Sequence, residues 1–186
     1  MKYIVTLITL CLITASISTN KFYANSEIDV NDKILWLKNR NLIWEDFQGN
    51  PPNNKDAALA ATQCEIKIIK IELVDNLPNI IIGTYFIKSR SWTVTTNHEA
   101  LEHEQLHFDI YELFSRKIRK GFMELNNQKI ADIKFYEDLY KNLINCAIEE
   151  NNNYDFEVYF NEKKQQEWIS RITNELEKLK EYEYKP

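Results

Sequence analysis

The spacing of apolar residues changes character once along this chain, from a period of two to a period near that of a helix. From Ala60 to Val74 apolar and polar side chains alternate, with Cys64, Ile66 and Ile68 on one face. The phase then slips, and Ile69, Ile71 and Leu73 take over while Lys70 and Glu72 turn outward. Alternation predicts a half-buried strand, and a slip inside it predicts a β-bulge near Ile68 and Ile69. Asp75 to Asn79, around Pro78, reads as a turn. Ile80 to Lys88, rich in β-branched and aromatic residues, reads as a second strand, and Ser91 to Val94 as a short third. Upstream, Ile34 to Gly49 is an entry segment holding Trp36 and Trp44, closed by the breaker Pro51-Pro52.

Beyond Asn97 the period is helical. Three helices are expected: Asn97 to about Leu125, Gln128 to Glu150, and about Asn161 to Tyr184. The last carries Trp168, Ile172, Leu176 and Leu179 at helical spacing, with lysines and glutamates elsewhere. In the first, Leu106, Ile110, Leu113, Phe114 and Ile118 share one arc, and Asp109, Glu112, Arg116, Arg119 and Lys120 cover the other side. Thr95, Thr96 or Asn97 can cap its start, with Glu99 and Glu102 in the first turns, where acid suits the helix dipole. Strands followed by helices make the class α+β, with a small antiparallel sheet packed against three long helices.

The chemistry concentrates on that first helix. All three histidines lie between positions 98 and 107, and two of them form His103-Glu104-Gln105-Leu106-His107. Residues four apart stack one turn above each other, so both imidazoles can reach one ion, and the glutamate beside the first can act on a water bound to it. His103 and His107 fall inside the apolar arc, and Glu104 at its edge. The competing reading is two buried histidines satisfied by hydrogen bonds. Two neutral rings one turn apart in an apolar face need partners, and a metal supplies one for both, so a Zn2+ site on a zincin-like active-site helix is expected.

Catalytic zinc takes three protein ligands and keeps a fourth position for water, whose pKa falls to about 7. Glu112, five residues past His107, points away from the histidine face, and no histidine follows it, so a later carboxylate is expected. Glu150 closes the second helix on the side of Leu139 and Leu143. Asp155 follows the Asn151-Asn152-Asn153 run, read as a turn, beside Tyr154. The competing reading of each is a solvated carboxylate near a helix end. Asp132 reads more simply as a cap or an ion-pair partner.

The start of the chain bears on compartment. Lys2, an uncharged apolar run from Tyr3 to Ile17, and then Ser16, Ser18, Asn20 and Lys21 have the form of a signal peptide over residues 1–24, with cleavage after Ser18 or Ala24. The run is short of the roughly 20 residues of a bilayer span, so no span is expected once the leader is removed. Cys11 follows the bulky Leu10, which argues against lipid attachment. Residues 25–186 are expected to form a single exported domain, periplasmic or extracellular. Its two cysteines, Cys64 and Cys146, suit either a disulfide or free thiols. A net charge of −5, with both signs interspersed and no basic patch, argues against nucleic-acid binding.

The stretch Leu101 to Ile110 resembles the signature of a bacterial family of secreted proteins assigned as zinc-dependent proteases, catalogued as domain of unknown function 922. Its motif reads His-Glu-Gln-Gly-His-Phe-Asp-Ile, and Leu106 stands here at the glycine. Trp44, Asp46, Phe47 and Gly49 match the family's Trp-x-Asp-Phe-x-Gly element, and Ser91 and Trp92 match a Ser-Trp pair before the motif helix. Tyr154 and Asp155 match the opening of Tyr-Asp-x-x-Thr-x-His-Gly, and Gln165 and Trp168 the following Gln-x-x-Trp. Val158, Phe160 and Asn161 replace the threonine, histidine and glycine. The resemblance covers nearly the whole mature chain. It implies a zinc peptidase acting on peptides or proteins, with Glu104 as catalytic base and His103 and His107 as ligands. If the family's third ligand is the lost histidine, Phe160 cannot replace it; if it is the aspartate, Asp155 preserves the site. Asp155 is the expected ligand because Glu104 and both histidines are intact. The loss of Thr-x-His-Gly favours an alternative, a catalytically impaired zinc-bound module that binds proteins or peptides.

Overall fold

A computed structural model describes residues 31–53, 58–159 and 161–186. The leader with Cys11, and Phe160, lie outside the described residues. The fold is α+β. Strands β1 (Lys33–Leu35), β3 (Cys64–Val74) and β4 (Leu77–Ile87) form an antiparallel sheet in the order β1-β4-β3, and β2 (Ala60–Ala61) pairs antiparallel with β5 (Trp92–Thr93). Helices α1 (His98–Asn127), α2 (Ile133–Val158) and α3 (Glu162–Lys178) follow. Among the described residues no helix is long and apolar enough to cross a membrane.

The bulge is where alternation fails: the β3–β4 register shifts between Ile68 and Lys70. The turn is tighter than expected. Asp75 and Asn76, at φ 52° and 63°, complete it alone, and Pro78 lies inside β4 opposite Leu73. Aspartate and asparagine tolerate the left-handed region, and two such residues match the strand twist. Val74 and Leu77 flank the turn as its bonded pair, so Pro78 points its nitrogen to the other edge of β4. There β1 covers only Tyr85 to Ile87, and no ladder bond is lost at Pro78.

Asn97 caps α1, its Oδ1 accepting from the backbone of Glu99 at 2.6 Å. The helix runs to Asn127, and Lys129, at φ 61°, ends the path. Asp132 then caps α2, accepting from Lys134 N at 3.0 Å, so this helix begins at Ile133 rather than Gln128. It also runs through the asparagine run to Val158 instead of ending at Glu150. Asparagine is a weak helix former, yet buried Asn151 bonds the carbonyl of Ala147 one turn back, and tertiary contact overrides propensity. The third helix stops at Lys178, and a 3-10 turn, Lys180–Tyr182, leads the tail back across α1. Gly121 lets α1 and α2 approach: a Cβ there would lie 2.8 Å from a methyl of Leu139.

Helix α1 lies at the centre. Its apolar arc packs Leu106, Ile110, Leu113 and Ile118 with Ile66 and Ile82 of the sheet, Tyr154 of α2 and Ile172 of α3. A second cluster joins Trp36, Phe47, Phe86 and Phe108. The opposite face departs from expectation, for Glu112 and Arg116 are only 1% and 2% exposed. The sheet and the C-terminal segment bury this face as well. Glu112 accepts from Arg116 Nε at 2.9 Å, Arg119 Nη1 at 3.0 Å and Thr84 Oγ1 at 2.7 Å. The two arginines reach on to the carbonyls of Leu176 and Tyr182 and to Glu183. Removing the shared anion leaves two cations facing a buried gap. Glu112→Ala is therefore expected to cost about 3–5 kcal/mol in urea unfolding. A loss below about 1 kcal/mol would mean that water already compensates these charges.

Cys64 is buried and Cys146 exposed, both as free thiols. Burial, with Asp109, Glu104 and Glu65 nearby, pushes the Cys64 thiol well up, so it stays protonated.

Candidate metal centre

Two pairs of residues, each one turn apart, face each other across α1 and α2: His103 with His107, and Asn151 with Asp155. His103 Nε2 and His107 Nε2 lie 3.1 Å apart, and Asp155 Oδ1 is 3.1 Å from each. Three donors thus form a triangle with equal edges, close to the roughly 3.3 Å ligand spacing around a tetrahedral ion with bonds of about 2.0 Å. Two imidazole nitrogens and one carboxylate oxygen are a donor set that suits zinc.

Electrostatics favour a cation at the same point. Burial raises the Asp155 pKa, but hydrogen bonds to His103 and His107 and their charges outweigh it, holding the carboxyl well below the usual range. For His107 burial disfavours the charged ring. The hydrogen bond to Asp155, the charges of Glu104 and Asp155, and the bond to Asn151 prevail, and its pKa is raised.

The ring of His107 is oriented from behind. Its Nδ1 lies 2.7 Å from Asn151 Oδ1, while Asn151 Nδ2 donates to Ala147 O at 2.8 Å. With its amide nitrogen so engaged, Asn151 presents an acceptor to the ring, which fixes a proton on Nδ1 and aims Nε2 at the point shared with His103 and Asp155. Tyr154, fully buried, stacks on His103 with centroids 4.7 Å apart and meets His107 edge-on at 5.1 Å. Trp168 of α3 backs Tyr154 at 5.2 Å. On the front, Gln105 accepts from Leu42 N and donates to Asp109, tying the motif turn to the entry segment.

Glu104 is 4% exposed and lines a cleft of about 860 Å³ together with His103, His107 and Asp155. Its Oε2 has no hydrogen-bond partner among the described residues. A buried carboxylate oxygen left unbonded is costly, and a proton donor is what it lacks. His103, His107 and Asp155 fit a metal ion.

The structure brings His103, Glu104, His107 and Asp155 together and leaves Glu150 out. Five residues before Asp155, Glu150 faces α3 and pairs with Arg171 at 2.7 Å, which accounts for a charge on an apolar side. Asn151 escaped the sequence reading because three successive asparagines resemble a turn. The available signal was its four-residue spacing from both Ala147 and Asp155. Asn151→Ala is expected to weaken zinc binding about 10- to 100-fold in competition with a chelating dye. An affinity equal to the parent's would leave Asn151 with a packing role only.

Compared with family models, curated proteins and solved structures, the chain matches none.

Proposed function

We propose that this chain is an exported zinc-dependent peptidase, with zinc held by His103, His107 and Asp155 and with Glu104 as its base. The observation that carries the reading is the pairing of a three-donor set with a buried carboxylate oxygen that has no other partner, on one cleft. When bound, zinc supplies a Lewis acid that lowers the pKa of water to about 7. Glu104 accepts the proton of the attacking water as its oxygen bonds to the carbonyl carbon, and returns it to the amine nitrogen as the C–N bond breaks. Asn151 and Tyr154 keep the two imidazoles in place while this happens.

The wall opposite α2 suits a peptide. Leu59 O accepts from Val94 N at 2.8 Å, so the backbone groups of Leu59 and Ala61 face β5. Those of Ala60 and Thr62 then lie along the opposite edge, and residues 58–63 line the cleft. Thr62 Oγ1 donates to the backbone of Glu104 at 3.3 Å, which holds this edge against the motif turn. An extended chain can pair with such an edge. Export belongs to the same proposal and rests on the leader-like residues 1–24.

A second reading is a zinc-bound module that binds peptides without cleaving them, favoured by Val158 and Asn161 where the resembling pattern has threonine and glycine. Hydrolysis of unstructured peptides decides between them. Cleavage that a chelator abolishes and added zinc restores is the expected result. Binding without turnover in the zinc-loaded protein supports the module.

A further inference from the structure

We infer that the cleft selects peptides by charge, taking a lysine or arginine side chain at the end where α1 and α3 begin. This rests on the cleft being the peptide site proposed above. Its floor is one stripe of α1, Glu99, His103, His107 and Tyr111, each one turn from the next. The end beyond His103 is closed by α3, whose Gln165 Nε2 donates to Glu99 O at 3.2 Å and brings Glu162 to the same end.

The charges lining the cleft are Glu99, Glu104, Asp155 and Glu162, with no lysine or arginine among the described lining residues. A divalent cation at the histidines offsets Glu104 and Asp155. Glu99 and Glu162 remain, both exposed and with no ion pair among the described residues. The positive ends of α1 and α3 oppose them by about half a charge each, already eased by the Asn97 and Asn161 caps, so the carboxylates prevail. Lys164 is turned to Glu157 and Glu167 in a neighbouring groove, His98 faces Glu102, and Lys163 is not in the lining.

The walls at this end are apolar. Leu59 and Tyr159 line it, 59% and 69% exposed. Apolar walls leading to carboxylates are what a long basic side chain needs: its methylenes cover Leu59 and the tyrosine ring while the cation meets Glu99 and Glu162. At the other end Tyr111 and Ile148 offer an uncharged apolar surface. Glu104, 4% exposed and with one carboxylate oxygen unpartnered among the described residues, lines the cleft between the two ends.

The test uses zinc-loaded Glu104→Gln, which holds peptides uncut, and three matched apolar peptides carrying one lysine, one glutamine or one glutamate at the same position. The lysine peptide is expected to bind about tenfold tighter than the glutamine peptide, the glutamate peptide more weakly, with the differences shrinking as salt rises. Adding Glu99→Gln and Glu162→Gln should bring the three affinities together without changing zinc content or the glutamine peptide's affinity. Equal affinities before those substitutions, a preference that survives them, or no binding of any peptide would overturn the inference. Turnover of the glutamine peptide by the parent, measured alongside, tests the peptidase reading separately. Charge-selective binding without turnover sinks that reading alone, and turnover without charge selectivity sinks only the inference.

Discussion

Replacing Glu104 by glutamine should lower kcat on a peptide substrate by about 10²- to 10⁴-fold while zinc content stays that of the parent. The side chains are nearly the same size, and the position is 4% exposed, so packing around α1 is kept. The proton is what changes hands differently. A carboxylate accepts it from water and delivers it to the amine, whereas an amide does neither. Stability should hold or rise slightly, because a neutral amide with an unmet acceptor is cheaper to bury than a carboxylate in the same state. The comparison is of kcat in the two zinc-loaded proteins and of Tm in the two metal-free ones. Undiminished turnover would place the base on another residue.

Asp155→Asn should weaken zinc binding by more than about 100-fold, and Glu150→Gln should leave it unchanged. Asp155 contributes the oxygen 3.1 Å from both imidazole nitrogens, where the hydrogen bonds and charges of the two rings outweigh its burial and keep the carboxyl ionised. The amide removes the charge that offsets the metal's own and makes a weaker bond. Glu150 loses only its ion pair with Arg171, a partly exposed contact worth about 1 kcal/mol or less. Zinc lost with Glu150→Gln and kept with Asp155→Asn would reverse the assignment.

Features set by local chemistry were the ones legible in the chain. Alternation and its slip located β3 and the bulge, because strand periodicity is a local property of the backbone. The helical spacing of His103 and His107 with Leu106, Ile110 and Leu113 placed the motif on a helix facing the core. Asp132 as the cap of α2 was equally local. Features decided by distant partners were not. Glu112, Arg116 and Arg119 look like a solvated face until the C-terminal segment folds over them, and no spacing announces that cover. The asparagines at 151 to 153 have turn chemistry, but His107 and Ala147 recruit the first of them into a helix. That change of state carries Asp155 to the histidines, so the site's third corner was legible as a residue type and not as a geometry.

Zinc content of the purified protein tests the central claim most directly. The expected result is about one zinc per chain, absent after dialysis against a chelator and absent from His107→Ala prepared in the same way. A parent that binds no zinc when offered it, or a His107→Ala protein that retains one full equivalent, would contradict a metal centre built on these two helices.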